Sequence, residues 1–538
     1  MAEIQSSIPM FAAATLPILV VLVTMVWLRW SGTMAGFAGV IAAAAMGVLL
    51  LGATPMVLAV AGLKAMVLAF DVLYIVWAAL LLYNIAEEAG AIRSIGVGVA
   101  NLTEDHVMQL LILGFAFSSF LQGVAGFGVP VAVVAPVLAG LGFPPIQAAV
   151  VPLVGHAWSV TMGTLSSSFQ ALVTVTGYSG RVLGPWAAGF LGVACVLSGF
   201  VVAHVHAGLR PIRRCFGAIL VLGLSMATVQ FGLAYFEYYL LAGFGAGMVG
   251  LGLSLFGARL AQAVPGGYGG LLPTWPAEGD RQPPHRPVGR PSRSGGMGFH
   301  LGFAAYYAVI VIVVAATLIP GAPAALDVLR LRIPFPRTVT GLGFVTHGST
   351  HSISVLQHAG TYLVASAFVA WAIYRATGHL RSGGWKLVVR LTIKQAIPTT
   401  LAVLLMVVMA MIMSYTGMTR LLAQGVITVA GRAFPIFSPF IGLLGCFVTG
   451  SNTNANVLFG ALQRDVAVLL RQSPAIAAAL QTTGASLGSM VAPAKVLVAC
   501  ATAGLQGREG EVMRVALKYC LPMTLLVGLL GWLANLMQ

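Results

Sequence analysis

The stretch TGSNTNAN (Thr449–Asn456) lies between PFIGLLGCFV (439–448) and VLFGAL (457–462). Six of its eight residues are polar and none is charged, yet both flanks are apolar enough to sit in lipid. Polar side chains in such a setting either meet a ligand or tie helices together.

The whole chain shares the character of those flanks. Of its 538 residues, 59% are hydrophobic and 8% charged, where a soluble globule of this size carries about 25% charged residues. Roughly 20 consecutive apolar residues cross a bilayer as a helix. Such runs occur at 8–28, 34–53, 64–83, 182–205, 215–235, 238–258, 299–319, 361–374, 397–414 and 515–536. Two further apolar regions, 107–176 and 433–505, are interrupted by Gly and Pro. The expected fold is an all-α polytopic membrane protein of roughly 12–14 transmembrane helices. Continuous apolar runs exclude a β-barrel, whose strands alternate. No basic n-region precedes the first run, so it is read as a spanning helix and not as a signal peptide.

The net charge of +15 is a matter of topology. Basic residues gather in GLRPIRR (208–214), in DRQPPHRPVGRPSRSGG (280–296) and in YRATGHLRSGGWKLVVRLTIK (374–394). Two spans separate each neighbouring pair of loops, so all three fall on one side, the cytoplasmic one. This distribution gives no ground for a nucleic-acid partner. It implies a multi-pass protein of the plasma membrane, of bacterial inner-membrane type. Residues 262–298 are expected to form a flexible cytoplasmic linker between membrane halves 1–261 and 299–538. The cysteines at 195, 215, 446, 500 and 520 show no metal or redox spacing and read as small packing residues.

The two interrupted regions echo one another. FLQG (120–123) precedes the breaker VAGFGVP, and FVTG (447–450) precedes SNTNAN. A Pro-led helix start follows each: PIQAAVVPLVGHAWSVTMG (145–163) and PAIAAALQTTGASLGSMVA (474–492). Aligned on Pro145 and Pro474, they set Ala148 on Ala477, Ala149 on Ala478 and Gly155 on Gly484. Duplicated broken helices mark an inverted-repeat carrier whose site lies near the bilayer midplane. Unwound backbone in a membrane is tolerated only where protein or a water-filled cavity satisfies it.

FLQGVAGFGVPVAV (120–133) resembles the Glu-Gly-Ala-Ala-Gly-Phe-Gly-x-Pro-Val motif of the lactate permease family. YIVWAALLLYN (74–84), VTGSNTNANVLFGALQ (448–463) and the tail from Thr482 to Tyr519 are similar to that family's other signatures. The resemblance implies a carrier of lactate and glycolate, with proton coupling. Three positions depart from it. Gln122 stands for the family's Glu, Asn452 for the Asp of Ser-Asp-Thr, and Ser489 for the Lys of Gly-Lys-Met, with Lys495 six residues on.

The expected substrate-binding residues are Gln122, Gly123, Gly126 and Gly128 from one half. From the other come Ser451, Asn452, Thr453, Asn454, Asn456, Thr482, Thr483, Ser486 and Lys495. Hydroxyls and amides hydrogen-bond without the desolvation cost of a buried charge; the alternative is that they are interhelical glue. With two acids lost, His156 and Asp71 are the coupling candidates, because histidine titrates near neutrality and Asp71 is the one acid deep in an early span. Asp71 is alternatively a structural partner for a basic group on a facing helix. Arg464 and Asp465 are expected at a hairpin tip in water. THGSTHSISVLQH (346–358) reads as a loop, and its histidines do not form a metal motif.

The sequence therefore points to a secondary carrier of a small organic anion such as lactate or a related 2-hydroxy acid. A proton, or alternatively sodium, would be its coupling ion. No cofactor, metal or catalytic residue is expected, and a homo-oligomer is compatible with the sequence. A channel of the same fold and an integral-membrane enzyme are the competing classes. The enzyme reading lacks any well-formed acid pair, metal set or activated nucleophile.

Overall fold

The computed structural model describes residues 8–28, 30–92, 94–95, 103, 105–124, 126, 128–263, 297–380, 383–505 and 508–538. Most of the expected linker, 264–296, lies outside the described residues. Among the described residues, ten helices are long and apolar enough to cross a membrane, with shorter apolar helices between them. Large apolar side chains such as Phe37, Leu49, Val221, Phe256 and Val311 point outward, as a lipid-facing surface requires.

In chain order the elements begin with α1 (Ile8–Val26), α2 (Gly32–Leu51) and α3 (Pro55–Glu88). Then come α4 (His106–Val124), α5 (Val129–Gly140), α6 (Pro145–Ala157) and α7 (Gly163–Thr176). Long helices α8 (Gly180–Ala207), α9 (Leu209–Tyr235) and α10 (Tyr239–Ala263) close the first half. The second half holds α11 (Ala304–Leu318), a hairpin of β1 (Arg330–Phe335) and β2 (Ser349–Ser354), α12 (Ala359–Ala376), α13 (Gly384–Tyr415) and α14 (Met418–Ala430). It ends with α15 (Phe434–Thr449), α16 (Asn452–Leu469), α17 (Pro474–Gly488), α18 (Pro493–Ala503) and α19 (Glu509–Leu536).

Each interrupted region contains two broken helices, not one. α4 breaks into α5, and α6 into α7; α15 breaks into α16, and α17 into α18. The two regions are inverted. The tip between α5 and α6 lies beside the end of α8, where Phe143 packs on His206 and Gln147 donates to the His206 carbonyl at 3.0 Å. The tip between α16 and α17 lies at the far end of α19, where Ser473 N–H donates to Asn535 Oδ1 at 2.9 Å. His204, near the end of α8, pairs with Tyr519 of α19 at 2.8 Å. Asn535 lies sixteen residues, about 24 Å, further along that helix, so the two tips face opposite sides. One hydrophobic core joins both halves, with Leu113 and Trp158 in the same cluster as Ala478, Leu487 and Met490.

Two readings are corrected. Within the 346–358 stretch, Ser349–Ser354 form a strand and not a loop: β2 pairs antiparallel with β1, from Arg330 opposite Ser354 to Phe335 opposite Ser349. Alternating Ser, Thr, His and Ile suits a half-buried strand, which the Gly348 signal obscured. Arg464 and Asp465 sit inside α16, half-buried and paired at 2.7 Å, instead of at a tip. Arg464 also donates to the Thr176 carbonyl at 3.0 Å, which caps the end of α7. Asp71 has basic partners, as one reading of it expected, and they are two histidines, His351 on the hairpin and His358 at the start of α12.

Candidate binding site at the crossed broken helices

The four breaks are built by local chemistry. Gly128 (φ 85°) turns the chain into α5, and Gly450 (φ 70°) ends α15, conformations that glycine adopts without steric cost. Ser451 then caps α16 by accepting from the Asn454 N–H at 3.3 Å. Pro493 opens α18 at its first turn, where its missing N–H costs nothing. The break after α6 is the strained one. Thr164, Leu165 and Ser166 lie consecutively in the left-handed region, with φ of 47°, 50° and 62°, at roughly 1–2 kcal/mol each. The Ser166 hydroxyl bonds to the Tyr239 carbonyl, and Phe169 N–H reaches back to Thr161 O at 3.2 Å. Sustained strain of this kind clusters at functional sites.

Thr161 lies at the centre of the crossing. Its hydroxyl accepts from Asn452 Nδ2 at 2.9 Å and donates to the Thr482 carbonyl at 3.0 Å. Its N–H donates to Ser486 Oγ at 3.3 Å, and Ser486 Oγ donates to Ala157 O at 2.6 Å. Asn456 Nδ2 donates both to Ser168 O at 2.9 Å and to Thr482 Oγ1 at 2.8 Å. The hydroxyls of Ser168 and Thr453 are 2.8 Å apart. All these residues are buried. The break of one repeat is therefore stitched to two helices of the other.

Gln122 joins this centre from α4. It lies against Gly163 and Gly126, and Gly126 in turn abuts the Thr164 hydroxyl. Several buried polar atoms here have no hydrogen-bond partner among the described residues: Gln122 Oε1, the Oδ1 atoms of Asn452, Asn454 and Asn456, and Ser489 Oγ. Buried polar groups are rarely left so. Lys495 is also buried, and its Nζ lies 3.2 Å from His156 Nε2. His156 Nδ1 lies 2.5 Å from the Pro152 carbonyl. A carbonyl only accepts, so Nδ1 carries the ring proton and Nε2 accepts from the lysine. No carboxylate of the described residues pairs with Lys495.

Some expected residues lie elsewhere. Gly123 allows α4 to approach α10, since a Cβ there would sit 2.6 Å from Phe244 Cα. Thr483 bonds only its own helix, at Ala479 O. Asp71 is outside the crossing: Oδ2 is 2.6 Å from His351 Nε2, and Oδ1 is 3.6 Å from His358 Nε2. It lines a cavity of about 550 Å³ that reaches Leu165 and Ser166 at the strained break. Thr161 and Ser168 were not expected, although the Ser/Thr density of SVTMGTLSSS (159–168) is a signal of the same kind as TGSNTNAN. No group of three or more metal-ligating side chains able to hold an ion occurs among the described residues.

Two inverted pairs of broken helices crossing at a neutral polar centre, with one buried lysine, define a multi-pass membrane carrier. The sequence model of the L-lactate permease family matches residues 10–263 and 331–537, and the chain belongs to that family. It is 28% identical to the glycolate permease of Escherichia coli K12 over 539 residues, covering 96% of this chain and 94% of that one. It is 28% identical to the L-lactate permease of the same strain (86% and 84% covered) and 27% identical to that of Bacillus subtilis (86% and 84%). A solved transporter structure, Alcanivorax borkumensis YdaH, aligns with a TM-score of 0.46 at 15% identity, covering 86% of this chain and 85% of that one. The protein is a transporter, not an enzyme.

Proposed function

We propose that the chain carries a small 2-hydroxymonocarboxylate, lactate or glycolate, across the membrane by proton symport. The observation that carries this reading is Lys495: a buried ammonium whose recorded partner is a neutral imidazole, 3.2 Å away. A buried charge without a counter-charge is costly, and a substrate carboxylate is the natural partner. The unpartnered Asn452, Asn454 and Asn456 Oδ1 atoms require a hydrogen-bond donor, and a 2-hydroxyl group supplies one. Together, a cation and spare acceptors suit a hydroxy acid better than a plain carboxylate. The names of the relatives, L-lactate permease and glycolate permease, agree with that chemistry.

Coupling is assigned to the His156–Lys495 pair. In the arrangement described, the pair holds one shared proton between Nζ and Nε2 in addition to the one on Nδ1. A carboxylate that binds Lys495 draws the ammonium off Nε2, and its negative charge favours a proton on that freed nitrogen. Anion and proton together leave the net charge of the site as it was, so the pair can couple them in a low-dielectric site without the acids that Gln122 and Asn452 replace.

The test is uptake of labelled lactate and glycolate into proteoliposomes under an inside-alkaline gradient, and separately under inward sodium. Accumulation above equilibrium with the proton gradient alone is expected. Accumulation with sodium alone, or with neither, would sink proton symport. Uptake that never saturates would indicate the channel alternative.

A further inference from the structure

The cavity of about 550 Å³ lies apart from the helix crossing. Its walls include Asp71 and Ile75 of α3, Leu165, Ser166 and Gln170 of α7, and Ser352 of the hairpin. His358 and Tyr239 also border it. The hairpin connects α11 to α12, and α12 ends in the basic 374–394 segment assigned to the cytoplasm. The opposite end of α12, with the hairpin and the cavity, therefore faces outward.

The two histidines at Asp71 are not equivalent. His358 Nδ1 accepts from the Gly360 N–H at 3.1 Å, so its ring proton is on Nε2 facing Asp71. Adding a second proton would break that helix cap. It also leaves no lone pair on Nε2 for a metal. His351 uses Nε2 toward Asp71 at 2.6 Å, which leaves Nδ1 to take a proton, on a side chain 25% exposed. Histidine is the side chain whose charge changes near neutral pH.

The surrounding groups do not mask this pair. Lys64, two turns up α3, donates to Ser349 at 2.9 Å. Glu237, beside the cavity, is bound to Arg181 at 2.8 Å. Arg330 is held by Asp327, and Arg332 stands opposite Ser352 across the strand pair. Tyr74 stacks on His358 at 5.1 Å, while Tyr239 and Tyr362 border the cavity.

We propose that this cavity is the outer access chamber for the substrate carboxylate, and that the Asp71–His351 pair sets its charge. With His351 neutral, Asp71 makes the wall negative and repels an anion. With Nδ1 protonated, the pair is neutral and the anion passes toward Ser166. The idea rests on the anion assignment above but locates a filter outside the binding centre.

The experiment uses Gln170→Cys as a reporter in right-side-out vesicles. Gln170 lines the chamber, and the cysteines at 195, 215, 446, 500 and 520 are buried. Labelling rates are compared for the anionic sulfonatoethyl and the cationic trimethylammonioethyl methanethiosulfonates. Their ratio cancels thiolate ionisation and chamber opening. The anionic-to-cationic ratio is expected to rise about fivefold or more from pH 7.5 to pH 5.5. In His351→Gln, which keeps an N–H donor for Asp71, the ratio stays low at both values; in Asp71→Asn it is high at both. A ratio insensitive to pH, or one rising equally in His351→Gln, overturns the proposal even if Asp71→Asn fails to fold. Labelling needs no transport. A pH-blind chamber with intact lactate uptake therefore overturns this inference alone, and lost uptake with an intact shift overturns the substrate assignment alone.

Discussion

Gly155 and Gly484 occupy equivalent places in two oppositely oriented repeats. A Cβ on Gly155 would enter the backbone of Gly114 and Phe115 on α4, and a Cβ on Gly484 would enter that of Pro439 on α15. In each repeat the second broken helix crosses the first with its backbone in contact, as small residues permit in membranes.

Gly155→Ala and Gly484→Ala should therefore have similar effects. Each forces apart a backbone crossing, at about 1–3 kcal/mol of overpacking. Thermal melting of the purified protein should show comparable drops for both. An unchanged melting temperature in either variant would falsify the equivalence. Gly62→Ala, where a Cβ meets nothing within 4 Å, is the control.

Removing the charge at Lys495 tests the substrate contact. Hydrogen bonds to a charged group contribute about 1.5–3 kcal/mol, so Lys495→Met should raise KM roughly 10- to 100-fold. Relieved of a buried charge, the folded protein should be no less stable. Unaltered KM in initial-rate uptake would remove Lys495 from the site.

His156→Gln separates coupling from binding. Glutamine donates to Pro152 O and still offers an acceptor to Lys495, but it does not titrate. Proton-driven accumulation should disappear while counterflow of labelled against unlabelled lactate persists. Retained accumulation would move the coupling group elsewhere.

Asn456→Ala removes two hydrogen bonds that tie α16 to α7 and α17, at 2.9 and 2.8 Å. Loss of about 2 kcal/mol of stability is expected, read from denaturant unfolding in detergent. Asn454, whose Oδ1 is unpartnered, should cost less in stability than in uptake when changed to Ala. If both lose stability alike, Asn454 is glue and not a ligand contact.

Arg464→Met leaves Asp465 without its 2.7 Å partner and Thr176 O without its cap. Breaking a half-buried pair of this kind is expected to cost about 1–3 kcal/mol. Because Arg464 lies away from the crossing, its effect should be on melting temperature and not on KM.

The spans were legible because each is a continuous apolar run that only lipid can cover. The repeat was legible because Gly and Pro interrupt those runs in matching order, down to Gly155 and Gly484. TGSNTNAN stood out for its polarity, and the crossing does gather Asn452, Thr453 and Asn456 with Thr482, Ser486 and Gln122. Thr161 and Ser168 were not distinguishable from interhelical glue, because Ser and Thr are common in that role in membranes and SVTMGTLSSS (159–168) carries no amide side chain. The break after α6 was also hidden, since the left-handed turn at Thr164–Ser166 contains no glycine to announce it.

Hydrophobicity and breaker placement act locally, so the sequence by itself determined a polytopic helical carrier with two interrupted regions and a neutral polar segment. Pairings between distant residues depend on how helices cross, and only the tertiary structure decided those. It brought His156 to Lys495, 339 positions apart, because two inverted repeats interlock at their breaks. It took Asp71 out of that centre and gave it to His351, 280 positions away, because a hairpin that reads as a loop folds back onto the middle of a helix.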